Sequence, residues 1–180
     1  GGGVTLSGGE PTLFVGFVSH LLAELKAKGI RTLVETCGHF DFERFMDALY
    51  PNIDIIYYDI KLFEREAHER YCGVSNVRIL ENFARLCGEA RADGKELLPR
   101  IPLIPDITDT EENMAGIARF LRSLGVKQAA LMAYNPLWHE KCGKIGADDP
   151  WRTDRLMSSW PAQERMTRCR QALAREGIAS

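Results

Sequence analysis

Apolar and polar residues along the chain form a regular pattern of short apolar runs and longer amphipathic stretches. Five apolar runs predict strands, and each precedes a stretch whose apolar residues recur at helical spacing. Such alternation is typical of a parallel sheet with right-handed crossovers, and it predicts an α/β fold of five βα units, either a doubly wound sheet or a partial barrel. The predicted strands are residues 4–6, 31–36, 54–60, 97–104 and 129–134.

The first amphipathic stretch predicts a helix that begins near Pro11. The apolar residues that share the face expected to be buried are Phe14, Phe17, Val18, Leu21, Leu22 and Leu25. Gly29 follows the last apolar position and is expected to end the helix, as glycine commonly does.

Polar residues mark where the later helices are expected to start. Asp41 and Ser75 are expected to cap the second and third helices, and Asp109 or Thr110 the fourth. A long loop is predicted over residues 135–159, and a final helix follows it.

Composition places the chain among ordinary globular proteins. The 180 residues are 45% hydrophobic and 27% charged, which suits one soluble domain over residues 1–180. The formal net charge of −2 provides no bulk field for binding nucleic acid or an anionic membrane surface. No targeting or membrane-spanning segment is visible, so a cytoplasmic location is expected.

The cysteines indicate neither a disulfide framework nor a self-contained metal site. Their number is odd and no two of them form a CxxC pair, which fits a reducing compartment. Cys37 near His39, and Cys142 near His139, are interpreted as loop residues and semi-buried thiols, so no metal ligand is predicted. The five cysteines are Cys37, Cys72, Cys87, Cys142 and Cys169.

Polar residues end or pass through every predicted strand at its carboxyl end. In both parallel α/β architectures function resides at these ends, so the residues predict one site. The five strand ends carry Ser7-Gly8-Gly9-Glu10, Glu35-Thr36, Asp59-Ile60-Lys61, Arg100 and Tyr134-Asn135.

The chemistry of these residues indicates a zwitterionic ligand. Gly8 and Gly9 let backbone approach a ligand, and the Glu10 carboxylate can accept hydrogen bonds from a cationic amine. Lys61 and Arg100 can hold a carboxylate or a phosphate.

Other strand-end residues suit a nucleoside. Glu35, Asp59 or Asn135 could hold ribose hydroxyls. Lys61 leaves a second interpretation open, because a lysine at a strand end can form a Schiff base or pair with Asp59 or Glu35. Neither a Walker A loop nor a GxGxxG fingerprint is present.

Several motifs occur in a fixed order along the chain. Residues 1–11 read GGGVTLSGGEP, residues 35–38 read ETCG, and residues 100–105 read RIPLIP, followed by Asp106. Residues 59–83 have the pattern DxK…H…G…N…IL.N. Together they resemble the activating enzymes of glycyl radical enzymes, of the pyruvate formate-lyase activating enzyme type, within the radical S-adenosylmethionine (SAM) superfamily. That family has glycine where this chain has Asp106.

The resemblance implies a partial, open (β/α)6-type radical SAM barrel that lacks its first strand. It also implies SAM and a [4Fe–4S] cluster as cofactors. The expected reaction is reductive cleavage of SAM to a 5′-deoxyadenosyl radical, which takes hydrogen from a glycine of a partner enzyme. The family's CxxxCxxC motif is absent here, so the chain is expected to be a C-terminal portion, inactive alone, with the cluster ligands elsewhere in its parent protein.

The resemblance also implies roles for residues at the first and third strand ends. Gly8, Gly9 and Glu10 are expected to bind the amino group of SAM. Asp59 and Lys61 are expected to hold the ribose and the carboxylate, and they are the two residues expected to take part most directly in catalysis.

Four further positions complete the expected cofactor site. Arg100 is expected to support the carboxylate end of SAM. Glu35 and Thr36, with Asp59, match positions that line a cation and a polar cluster beside SAM. Asn135 stands where the family often has histidine, and it can still form a hydrogen bond with ribose.

The implied partners are proteins. A glycyl radical enzyme is the expected substrate, contacted through residues 68–82, and a flavodoxin or ferredoxin is the expected electron donor. Two alternatives stay open: a barrel lyase or aldolase that uses Lys61 as a Schiff base, and a non-catalytic SAM-binding or partner-docking module. Weak SAM binding is expected for the isolated chain.

Overall fold

A computed structural model describes residues 2–180; Gly1, the first residue of the GGGVTLSGGEP motif, lies outside them. Its sheet has five strands in sequence order, β1-β2-β3-β4-β5, and the β1–β2, β2–β3 and β3–β4 pairs are parallel. A doubly wound sheet reverses its strand order at a switch point, and this order has no reversal, so the barrel-type alternative is confirmed. The strands are β1 (Gly3–Leu6), β2 (Arg31–Thr36), β3 (Ile55–Asp59), β4 (Glu96–Leu103) and β5 (Ala130–Ala133).

Helices follow the strands, as the sequence predicts for an α/β fold. No helix within residues 2–180 has the length and apolar character needed to cross a bilayer. Two short 3-10 helices, Pro11–Phe14 and Tyr50–Asn52, accompany the α-helices. The α-helices are α1 (Val15–Ala27), α2 (Phe42–Ala48), α3 (Arg65–Cys72), α4 (Val77–Asp93), α5 (Glu111–Ser123), α6 (Trp138–Ile145) and α7 (Gln163–Arg175).

The chain divides into two compact units, Gly1–Arg100 and Ile101–Ser180. In the first unit, side chains alternate between the two faces of the sheet, as the strand geometry requires. Val34, Ile56 and Tyr58 are fully buried on one face, against apolar side chains of the helices. The opposite face is half-buried and carries Glu35 and Asp59. The helix residues of this core include Leu22, Phe45, Phe83 and Leu86.

The buried face of the first helix agrees with the predicted one at Val18 and Leu22, but not at the two phenylalanines. Phe14 and Phe17 are 67% and 70% exposed, whereas Val15, Val18 and Leu22 are buried. Phe14 belongs to the 3-10 turn Pro11–Phe14, which has three residues per turn, so its phase differs from that of α1.

Some of the predicted N-cap residues are confirmed and one is wrong. Asp41 and Thr110 cap α2 and α5 through their side chains, as predicted. Asn76, not Ser75, is the N-cap residue of α4, so that prediction is wrong by one residue. Helix α3 was not predicted, because only His68 of its eight residues is buried. Helix α6 lies inside the predicted loop 135–159 and has no buried residue.

The second unit is built around α5 and α7, which pack together. Arg165 of α7 pairs with Asp106 at 2.7 Å and with Asp109 at 2.6 Å, just before α5. Asp106 has a φ of +58° and is the one non-glycine residue of the described chain with positive φ. This left-handed conformation is one that glycine adopts without strain, so it suits the glycine that the family pattern implies at this place.

Candidate functional site

The register of the strands brings three predicted site residues, Glu35, Asp59 and Arg100, toward one face of the sheet. Asp59 lies directly opposite Arg100 in the β3–β4 pair, and Glu35 lies opposite Tyr57 in the β2–β3 pair. Tyr57 and Asp59 are two residues apart, so they project from the same face of β3. The result is a polar cluster on the half-buried face of the first unit, at the carboxyl ends of β2 and β3.

Arg100 holds the cluster together. Its Nη1 donates to Glu35 Oε1 at 2.7 Å, and its Nε donates to Asp59 Oδ1 at 2.9 Å. The guanidinium also lies 5.3 Å from the centre of the Tyr57 ring, within cation–π range. The Arg100 side chain is 10% exposed, so the two carboxylates stabilise a charge that is largely removed from water.

Ser7 joins the end of β1 to this cluster. Its Oγ donates to Glu35 Oε2 at 2.6 Å. Partial burial acts to raise the pKa of Glu35, but the Ser7 hydrogen bond and the Arg100 charge outweigh it, and the pKa is lowered. Glu35 is therefore ionised at neutral pH.

Lys61 completes the cluster beside Asp59. Its Nζ lies 3.5 Å from Asp59 Oδ2, and a third of its side chain is exposed. Two carboxylates thus face two cations, and Lys61 is the more exposed of the two cations. A ligand carboxylate that reaches the cluster would meet Lys61 more readily than Arg100.

The Gly8-Gly9 turn borders open space. Gly8 has a φ of +90°, which glycine adopts without strain. Apart from each glycine's own chain neighbours, no atom of the described chain lies within 4 Å of the point where a Cβ of Gly8 or Gly9 would stand. The backbone of this turn is therefore accessible to a ligand, as the sequence predicts.

The Glu10 carboxylate ties the end of β1 to the end of β2. Its Oε1 accepts from Thr36 Oγ1 at 2.9 Å and from both the backbone and the hydroxyl of Thr12, and its Oε2 accepts from Cys37 N at 2.7 Å. Burial acts to raise the pKa of Glu10, but the hydrogen bonds from Cys37 and Thr12 outweigh it, so the pKa is lowered. Glu10 and Thr36 thus act as a brace, and their predicted contacts with SAM stay predictions.

We expect the Glu10→Gln variant to be about 1–3 kcal/mol less stable, because the amide would face the Cys37 N–H donor without accepting from it. A lowered folded pKa gives stabilisation that is present above the ordinary carboxyl value of 4.5 and is lost as the pH falls through the folded value. Urea unfolding should therefore show a shallower acid dependence for the variant than for the wild-type chain. Glu81→Gln, at an exposed position of α4, is the control. If the free energy of unfolding of Glu10→Gln depends on acid pH as strongly as that of the wild-type chain, the bracing role of Glu10 would be contradicted.

The buried polar residues of the 68–82 block shape the loops beside the site. His68, Asn76 and Asn82 are all at least nine-tenths buried, and each bonds to backbone carbonyl oxygens. Asn82 Nδ2 donates to the carbonyls of Gly38 and Phe40 at 2.9 Å, which fixes the loop after β2. Any contact that this block makes with a partner protein is therefore expected to use its exposed side chains.

Asn135 belongs to the second unit. Its Oδ1 accepts from the backbone N–H of Leu137 at 2.9 Å, in the turn that leads into α6. Nearby, the two ring nitrogens of His139 lie 2.7 Å from Asp149 Oδ2 and 2.6 Å from the Met157 carbonyl. These contacts order the segment after β5, and the predicted contact of Asn135 with ribose stays a prediction.

The cysteines do not form a cluster site. Within residues 2–180 no three His, Cys, Asp or Glu side chains are grouped so that they could hold a metal ion. Burial raises the pKa of Cys37, Cys87 and Cys169 to about 11 each, which disfavours the thiolate that an iron–sulfur cluster requires. The described residues therefore do not fit a [4Fe–4S] cluster.

Sequence reasoning named no role for Ser7 or Tyr57. The alternation of strand side chains could have found Tyr57, because it lies two residues before Asp59. The Ser7–Glu35 contact depends on how β1 and β2 align, and residue spacing carries no signal for it.

Comparison with known proteins identifies relatives of the chain. It is 41% identical over 150 residues to an isethionate sulfite-lyase activating enzyme of Desulfovibrio desulfuricans, covering 83% of this chain and 47% of that protein. It is 34% identical over 152 residues to a pyruvate formate-lyase-activating enzyme of Staphylococcus epidermidis, covering 81% and 59%. The chain thus spans about half the length of these relatives. No protein-family model matches it.

Solved structures show the same fold. A domain of a pyruvate formate-lyase-activating enzyme from Bacteroides vulgatus superposes with a TM-score of 0.76 at 29% identity, over 99% of this chain and 97% of that one. A radical SAM methyltransferase from Sphaerobacter thermophilus matches in fold, with a TM-score of 0.67 at 18% identity, over 98% and 49%. The fold is therefore that of the radical SAM proteins. Within that class, the chain belongs to the activating enzymes of glycyl radical enzymes, which confirms the resemblance seen in the motifs.

Proposed function

We propose that this chain carries the SAM-binding part of an enzyme that activates a glycyl radical enzyme. The observation that supports the proposal most is the Glu35–Arg100–Asp59–Lys61 cluster beside an accessible glycine turn. Homology to activating enzymes supports the same function.

The donors of the cluster fit the chemistry of SAM. SAM has an α-amino group, a carboxylate, a sulfonium and two ribose hydroxyls. Gly8 and Gly9, with Glu10, would hold the amino group, since the backbone of the turn is open. Lys61 would bind the carboxylate, and Asp59 would accept from a ribose hydroxyl.

Arg100 and Glu35 would mainly position the residues that contact SAM, rather than contact SAM themselves. Arg100 is the least exposed member of the cluster and fixes the orientation of Asp59. Arg100 contacts Asp59 through Oδ1, whereas Lys61 lies beside Oδ2, so the two cations use different oxygens of this carboxylate.

A reduced [4Fe–4S] cluster in the parent protein would supply the electron for reductive cleavage of SAM, the chemistry by which the partner's glycine would be activated. The chain's own residues hold and orient SAM, whereas the ligands of the cluster would come from outside these 180 residues. A glycyl radical enzyme would be the protein substrate, and a flavodoxin or ferredoxin would supply the electron.

A chimera tests the proposed function. Residues of this chain would replace the 152 aligned residues of the Staphylococcus epidermidis activating enzyme. With a loaded cluster and a reductant, we expect the chimera to convert SAM to 5′-deoxyadenosine, measured by chromatography. The Asp59→Asn, Lys61→Met chimera should be at least roughly a hundredfold slower, since two charge-assisted contacts are lost. A folded, cluster-loaded chimera that cleaves no SAM would contradict the proposal.

A further inference from the structure

A cavity opens in the first unit beside the loop that follows β2. Its volume is about 200 Å³. Small-molecule pockets usually enclose about 300–1,000 Å³, so this cavity suits one side chain better than a cofactor. Its lining includes Thr12, Leu13, His39, Arg44, Phe45 and Arg78.

Exposed apolar side chains lie on both sides of this cavity. Leu13, which lines it, is 71% exposed, and Phe17 lies four residues further along the same helical segment. On the other side, Val77 is 46% exposed and directly precedes Arg78, with Val74 exposed nearby. Exposed apolar groups clustered in this way mark contact sites for other proteins.

The rim of the cavity is basic. His39, Arg44 and Arg78 line it with one carboxylate, Asp41, which caps α2. In the described residues neither Arg44 nor Arg78 pairs with an acidic side chain, whereas Arg85 of the same unit pairs with Glu43 at 2.7 Å. The chain as a whole has a formal net charge of −2, whereas the lining of this cavity has two arginines and one carboxylate.

We propose that the docking surface, defined as Leu13, His39, Arg44, Val77 and Arg78, binds an extended acidic segment of the partner protein. An aliphatic or aromatic side chain of that segment would fill the cavity, and flanking carboxylates would pair with Arg44 and Arg78. This rests on the proposed function, because the partner is then the glycyl radical enzyme itself. Thr12 lines the cavity and also donates to Glu10, so a docked segment would lie beside the candidate site.

Binding of labelled peptides to the chain tests this surface. The first peptide has one leucine flanked by glutamates in a glycine–serine background. A second replaces the glutamates with lysines, and a third replaces the leucine with alanine. By fluorescence anisotropy, we expect the first to bind roughly tenfold more tightly than either of the others, and to weaken as salt is added.

Charge-reversal variants test whether the peptide binds at the docking surface. The Arg44→Glu, Arg78→Glu variant should lose roughly tenfold in affinity for the first peptide. The control Arg119→Glu changes the charge of an exposed residue of α5 and should leave the affinity unchanged. Circular dichroism and urea unfolding verify that the variants are folded, and Leu13→Ser provides a second variant that leaves the charge intact.

Three results would overturn the proposal: equal binding of the lysine peptide, tighter binding of a single-stranded RNA oligomer, or no binding of any peptide at solubility-limited concentration. SAM titration of the same variants separates the two proposals. The docking variants should bind SAM as the wild-type chain does. If the wild-type chain binds the first peptide but does not bind SAM, the result would count against the proposed function and not against the docking surface.

Discussion

The Gly38→Ala variant is expected to be about 3–5 kcal/mol less stable than the wild-type chain, enough to unfold a marginal protein. Gly38 has a φ of +81°, where alanine is strained. Its added Cβ would also stand 1.9 Å from the hydroxyl oxygen of Tyr58, a fully buried residue. Tyr58 cannot move easily, because its hydroxyl donates to the Ile79 carbonyl at 2.6 Å.

Urea unfolding followed by circular dichroism measures this loss. Gly88→Ala is the matched control, since Gly88 lies in α4 with open space around it, and alanine there should stabilise by about 0.5–1 kcal/mol. In a Tyr58→Leu background, Gly38→Ala should cost only the backbone strain, about 1–3 kcal/mol. Equal losses in both backgrounds would show that the Tyr58 ring does not hold this loop.

The Arg100→Ala variant is expected to be about 2–3 kcal/mol less stable, because Glu35 and Asp59 then lose the cation between them. The expected loss of stability is smaller than for a fully buried ion pair, because both carboxylates are partly exposed to solvent. Arg100 acts to lower the pKa of Glu35, so its contribution is present above the ordinary carboxyl value of 4.5 and fades as the pH falls through the lowered value. The stability difference between the two chains should therefore narrow in acid.

Two further variants separate charge from geometry at this position. Arg100→Lys keeps the charge but cannot form the forked contact with Glu35, and we expect an intermediate loss. Arg100→Met combined with Glu35→Gln and Asp59→Asn should recover part of the stability, because no uncompensated carboxylate remains. A wild-type urea midpoint for Arg100→Ala would contradict the role of Arg100 as the centre of the cluster.

Local patterns were sufficient to predict much of the fold. The strand Arg31–Thr36 has the predicted bounds, and the caps at Asp41 and Thr110 follow from side-chain chemistry that acts within one turn. Helices α3 and α6 escaped prediction; both have eight residues, and His68 is the one buried residue between them.

The convergence of polar residues was predictable, but their pairing was not. Parallel strands bring their carboxyl ends to one edge, which places Glu35 and Asp59 together from sequence alone. Which residue faces Arg100 depends on the register of β4 against β3, and this is set by packing across the whole sheet. The bracing contacts of Glu10 likewise need the β1 and β2 ends side by side.

Titration of the isotope-labelled chain with SAM, followed by two-dimensional amide NMR, tests the central claim most directly. We predict weak, saturable binding, with the largest shifts at residues 7–10, 35–37, 59–61 and 100. Asp59→Asn with Lys61→Met should abolish these shifts while leaving the rest of the spectrum intact. Shifts that are absent, or that fall elsewhere and persist in the double variant, would contradict the assignment of the strand-end cluster as the SAM site.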